Sequence, residues 1–262
     1  MKYYQLREIR APLFEAVQSE IKSQFKSFDY LKSRNFELVN MSIGSEVKQG
    51  LTRFLQAIWR SNFLSAPSNE VQNLYIEEIQ KYLSAVHAKA LNDNQDKLFL
   101  LAAGNRVGAK TNNLDLDPQF PTSTSKWFRP ANLIVVAATQ GRKSLAHFSS
   151  FGIQTVDIAA PGVNIESYAP GGLKLFMTGT SQATPAVTNT AARMLEINPK
   201  LLPKEIKMIL METVDKKDFL KEAVLSGGII NPPRAVAAAR LRLHYSLEQA
   251  IMMARILQDD LP

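Results

Sequence analysis

Short runs of unbroken apolar residues alternate along this chain with longer stretches in which apolar residues return every three or four positions. The runs Leu98-Phe99-Leu100-Leu101-Ala102 and Leu133-Ile134-Val135-Val136-Ala137-Ala138 read as strands buried on both faces. Strands are predicted at 3–9, 36–43, 97–103, 132–138 and 154–158. Between the first two, Phe14, Val17, Ile21, Phe25, Phe28 and Leu31 recur at helical spacing and make one apolar face, which we read as core. Two helical patterns lie between Ser45 and Lys97, separated by a connection from Ser61 to Asn69; the second is marked by Val71, Leu74, Tyr75, Ile79, Tyr82, Leu83 and Val86. A last helix is expected over about 232–258. Strands alternating with helices predict an α/β fold, with a mostly parallel sheet and helices on both faces, in a single domain spanning 1–262.

Composition narrows the function classes. With 262 residues, 45% of them hydrophobic, the chain can bury a substantial core, and the absence of cysteine excludes disulfides and thiolate metal sites. No apolar run approaches the roughly 18 residues of a membrane span, and Met1-Lys2-Tyr3-Tyr4-Gln5 lacks the apolar core of a signal peptide, so no membrane partner is expected. The net charge of +7 is spread among acids, as in Lys204-Glu205-Ile206-Lys207, which reads as a solvated basic surface and not as a nucleic-acid site. The loop 106–129, rich in Asn, Asp, Pro, Ser and Thr, is expected to be exposed; its Asp115 and Asp117 suit turn chemistry better than a calcium site. No metal or cofactor is expected.

Gly179-Thr180-Ser181-Gln182-Ala183-Thr184-Pro185 carries the candidate chemistry. A tight turn delivers a serine to the start of a helical pattern, with proline expected inside the first turn. There the helix dipole and free backbone N–H groups can hold a developing oxyanion. The same residues also suit a plain N-cap, for which serine is a preferred residue.

Together with Val39-Asn40-Met41-Ser42-Ile43-Gly44, Phe99-Leu100-Leu101-Ala102-Ala103-Gly104-Asn105, Val156-Asp157 with Ala159-Ala160-Pro161-Gly162-Val163-Asn164-Ile165, and Ser226-Gly227-Gly228-Ile229-Ile230-Asn231, the serine segment resembles the subtilisin family of serine peptidases. The resemblance runs from about Tyr3 to Ala238 and implies a subtilisin-like three-layer sandwich without its N-terminal part. It implies that Ser181 is the nucleophile and that Asn105 and the Ser181 N–H form the oxyanion hole. It implies that Ser42, Ile43 and Gly44 pair with a polypeptide substrate, with Ala102, Ala103 and Gly104 across the pocket. Arg106 would make the pocket mouth positive. Gln182 and Ala186 stand where the family often has Met and His.

The family's catalytic triad runs Asp, His, Ser along the chain, and neither an aspartate-glycine motif nor a His-Gly-Thr helix start precedes Ser181. Of the three histidines, His87 sits in a helical pattern and reads as structural, His147 falls before Phe148-Ser149, and His244 follows the closing strand. In the family a strand like 3–9 directly follows the histidine-bearing helix, which implies a chain beginning just after it. Two readings remain open: the serine-bearing part of an endopeptidase completed by an Asp- and His-bearing segment, or a pseudoprotease that binds or scaffolds peptides.

Overall fold

A computed structural model of the chain describes residues 26–43, 52, 53, 56, 57, 60, 68–107 and 110–259. The apolar runs become strands β1 (Leu38–Met41), β2 (Leu98–Ala102), β3 (Leu133–Gln140), β4 (Ser144–Leu145) and β5 (Ile158–Pro161). A ribbon follows, β6 (Ile165–Tyr168) and β7 (Lys174–Met177), and then β8 (Asp215–Lys216) and β9 (Gly228–Ile229). The helices are α1 (Asn69–Asn92), α2 (Ser123–Phe128), α3 (Thr180–Ile197), α4 (Pro203–Glu212), α5 (Pro232–Leu241) and α6 (Leu247–Asp259), with residues 26–32 also helical. The sheet runs β1-β2-β3-β5-β9-β8; its first five strands are mutually parallel, and β4 and β8 join β3 and β9 antiparallel. The expected α/β architecture is therefore present.

Every residue of β2, and all of β3 up to Thr139, is buried, because both faces of a parallel sheet are covered. α3 lies across β1, β2, β3 and β5 and buries Ala183, Val187, Ala191 and Met194, a helical stripe of mostly small side chains. Phe99 of β2 meets Phe28 at 5.6 Å between ring centroids. Polar groups fasten the layers. The Asn132 Nδ2 donates to Leu91 O, Asn94 O and Lys97 O and so ties the end of α1 to the sheet. Asp157, buried, accepts from Val135 N at 2.8 Å and pairs with Lys207 of α4 at 3.2 Å.

The loop expected to be exposed over 106–129 is in good part buried: it includes α2, and Leu114, Phe120 and Thr122 to Ser125 pack inside. Other expectations also need correction or placement. The strand expected at 154–158 begins only at Ile158, because Thr155 N and Val156 N both donate back to Gly152 O and wind 152–156 into a turn. The single helix expected over 232–258 is two helices, broken at 242–246, where Leu243, His244 and Tyr245 N–H groups close turns on Arg240 and Leu241. The strand expected at 3–9, most of the helix beginning at Phe14, and the connection after Ser61 lie outside the described residues. Asp115 performs turn chemistry as expected: its N–H donates to Asn113 Oδ1, and its carboxylate accepts from Gln154 N and Thr155 Oγ1. Among the described residues no group of three or more side chains could hold a metal ion, and no helix is long and apolar enough to cross a membrane.

His87 is structural. It is buried between Phe28 and Phe120, with Nδ1 2.9 Å from Thr124 Oγ1, and burial lowers its pKa from 6.5 to about 4. The unfolded chain therefore binds this proton first as pH falls, so the stabilisation is complete above pH 6.5 and is lost down to about pH 4. Chemical denaturation at both ends of that window should show about 3 kcal/mol of loss attributable to this residue, and a His87→Phe variant should lose that much less. Equal pH slopes for the two proteins would exclude this assignment.

Candidate active site

α3 starts at Thr180, with Gly179 as its cap residue, and its first turn makes the site. A helix leaves its first N–H groups without intrahelical partners. Here Thr180 N donates to Asn105 Oδ1 at 2.9 Å, and Gln182 N and Ala183 N donate to Gly179 O. The Ser181 N–H is the one left free among the described residues.

Asn105 follows β2 and is exposed, yet its amide is oriented. The Gly104 N–H donates to Thr180 Oγ1 at 3.1 Å, and that hydroxyl donates to Asn105 Oδ1 at 3.0 Å. With Oδ1 accepting from both the backbone and the side chain of Thr180, Nδ2 is left to point away as a donor. Gly104 makes this approach at φ +104°, a backbone conformation that favours glycine. A β-carbon placed on Gly179 would lie 3.0 Å from Asn105 Nδ2 and 3.6 Å from Ser181 N. Asn105 Nδ2 and Ser181 N thus lie on the same side of Gly179, where a side chain at 179 would crowd them, and both are donors beside a serine. Thr180, not singled out from the sequence, is the residue that fixes this geometry; its place between the turn glycine and the serine is the one signal that points to it.

Pro185 is the sixth residue of α3, in its second turn and not its first. Having no N–H, it cannot bond the Ser181 carbonyl four residues back. The Ser42 hydroxyl donates to Ser181 O at 3.1 Å instead, and Ser42 Oγ accepts from Asn40 Nδ2 at 2.9 Å. Thr188 Oγ1 donates to Asn40 Oδ1 at 2.9 Å, so β1 is stitched to α3 along two turns.

The remaining expected residues are placed as follows. Ile43 is exposed, Gly44 lies outside the described residues, Ala102 and Ala103 are buried, and Gly104 is partly open. Arg106 does not leave a free positive charge at the mouth, because Asp117 Oδ2 stands 2.5 Å from its Nη2. Ser181 is partly exposed, and no histidine hydrogen-bonds its hydroxyl among the described residues. His147 and His244 are exposed, His147 stacking edge-on against Phe148.

A parallel α/β sheet with a serine at a helix start, facing an asparagine at a strand end, defines the architecture of a subtilisin-like hydrolase. The subtilase family pattern matches residues 13–228, and the chain belongs to that family, which is of the serine-peptidase kind. Over 208 residues it is 28% identical to one of the subunits of the subtilase cytotoxin of Escherichia coli, covering 73% of this chain and 60% of that protein. Over 85 residues it is 40% identical to subtilisin BL of Lederbergia lenta, covering 32% of this chain and 31% of that protein. The crystal structure of the A-subunit of the AB5 toxin from E. coli superposes with a TM-score of 0.57 at 24% identity, over 83% of this chain and 67% of that one. A cold-adapted subtilisin-like serine proteinase superposes with a TM-score of 0.52 at 22% identity, over 78% of this chain and 60% of that one.

The Pro185–Ser42 arrangement makes a prediction independent of catalysis. Ser42→Ala should cost about 1 kcal/mol by leaving the Ser181 carbonyl without its donor. In a Pro185→Ala background the new N–H can take over, so the same change should cost only a few tenths of that. Equal costs in a double-mutant cycle followed by denaturant unfolding would show that the two donors do not substitute for each other.

Proposed function

We propose that the chain is the serine-bearing part of a subtilisin-like serine endopeptidase, with Ser181 as nucleophile and Asn105 Nδ2 and the Ser181 N–H as oxyanion donors. The observation that carries this reading is that the Asn105 amide, with Oδ1 held by Thr180, and the unpaired Ser181 N–H lie on the same side of Gly179 beside the serine. In this reading Ser181 Oγ attacks the scissile carbonyl, and the carbonyl oxygen is held by the two donors as its charge grows. Ser42, Ile43 and Gly44 would receive the substrate backbone as an added strand, with Ala102, Ala103 and Gly104 across the cleft.

Proton transfer is the part that these residues do not supply. An Asp- and His-bearing segment would supply it, and among the described residues β1 is the sheet edge beside which such a segment could add a strand. Losing the histidine of a triad costs about 10⁶ in turnover in subtilisin itself, so the chain alone should be a very poor peptidase. A second reading, a pseudoprotease that binds peptides as a module or scaffold, draws on the same absence of a histidine bonded to Ser181.

Reconstitution separates the two. Supplying an Asp/His segment from a subtilase, fused or in trans, should restore hydrolysis of a peptide substrate that Ser181→Ala abolishes. Asn105→Ala should lower it by about 10²–10³, the range known for such a donor in subtilisin. A reconstituted protein that binds peptide without cutting it, and is indifferent to Ser181→Ala, would leave the binding module standing.

A further inference from the structure

We propose that α6 is the contact helix of a homodimer, in which two copies of it pack antiparallel about a two-fold axis close to Met252. One side of α6 serves its own fold, with Ala250, Ile251 and Ala254 buried where it packs on α5 and α4. A helix packed on one side only is expected to be polar on the other. Here it is not. Met252, Ile256 and Leu257 are each 56% exposed, and with the half-buried Met253 they make one continuous apolar stripe. The stripe is presented on a well-anchored helix, because Ser246 Oγ accepts from Gln249 N and the Ser246 N–H donates to Gln249 Oε1.

The charges beside the stripe say what covers it. Glu248 and Arg255 lie along one edge, two turns or about 10 Å apart, with Met252 near the midpoint. Glu248 has no ion-pair partner among the described residues, and Arg255 reaches Glu212 only at 3.9 Å, both of those side chains being about half exposed. When two copies of a helix pack antiparallel about a two-fold axis, the same edge of each faces the other, and a residue before the midpoint meets one after it. Glu248 of each copy then faces Arg255 of the other. The result is two equivalent ion pairs flanking a seam in which the two Met252 side chains meet. Parallel packing brings unlike edges together and makes neither pair. Flanking charges of this kind set orientation and register, while the apolar seam supplies affinity. A single pair of helices this short buries less than the roughly 1,200 Å² of a standard interface, so a dissociation constant of about 10–100 µM is expected.

Sedimentation equilibrium of the full chain tests this. The wild type should show a monomer–dimer equilibrium in that range. Met252→Glu, which puts a carboxylate on the seam, should weaken it at least about 30-fold and leave the thermal unfolding of the monomer unchanged, because Met252 is exposed. Glu248→Lys and Arg255→Glu should each weaken it about tenfold, since each turns two attractions into two repulsions. An equimolar mixture of these two variants should recover wild-type affinity: the introduced lysine then faces the introduced glutamate, and the native Glu248 and Arg255 face each other. A chain that stays monomeric well above that concentration range would overturn the proposal and leave the stripe to a different partner. So would an association that Met252→Glu leaves unchanged, as pairing through the β1 edge would be, or a mixture that dimerises no better than its two components alone.

Discussion

A helix cannot satisfy its own first N–H groups, and the arrangement around Ser181 follows from how this chain disposes of them. Gly179 O takes two of those donors and Asn105 Oδ1 takes a third, which leaves the Ser181 N–H open beside the serine hydroxyl. The Asn105 bond does two things at once. It caps the helix, and by occupying Oδ1 it obliges Nδ2 to face the same opening. Thr180 makes the second half of that constraint secure, since its hydroxyl is itself held by the Gly104 N–H. Capping the helix and orienting the Asn105 amide are here one set of hydrogen bonds.

The supporting structure brings together two halves that lie far apart in the chain. Asn105 stands at the end of β2 and Ser181 at the start of α3, and α3 crosses β1, β2, β3 and β5 on a stripe of small side chains that allows close approach. Pro185 and Ser42 add a second link, in which the carbonyl that proline deprives of a helical partner becomes an anchor for the strand beside it. The buried Asp157–Lys207 pair and the three bonds from Asn132 serve the sheet in the same way, fixing helices whose apolar faces alone would allow sliding.

Much of this is legible in the sequence. β2 and β3 announce themselves because strands buried on both faces must be apolar throughout, and the serine segment stands out because its turn residues are crowded into a few positions. β6 and β7 are not, since Lys174-Leu175-Phe176-Met177 is exposed throughout and gives no clean alternation. The turn at 152–156 reads as strand because Val156 and the residues after it are buried, and burial alone does not distinguish a packed turn from a ladder. Thr180 escapes notice for a different reason. Its role exists only once Asn105, 75 positions away, is beside it. Pro185 is conspicuous but sits one turn later than its motif suggests, and counting back four residues from it leads to the Ser181 carbonyl.

The β6–β7 ribbon has a consequence of its own for motion. Two strands by themselves are marginally stable in water, and this pair exposes Tyr168, Leu173 and Phe176 while burying little. Its base is closed by Asn164 N to Thr178 Oγ1 and by Gly179 N to Gly162 O, the latter a bond made by the residue that caps α3. Local opening costs least where few contacts must be broken, so among the described elements the ribbon is the segment next to Ser181 that opens at low free energy. Each excursion loosens the hinge on which the serine turn is mounted. The serine turn is therefore coupled to a ribbon outside the sheet, through the bond that Gly179 N makes to Gly162 O.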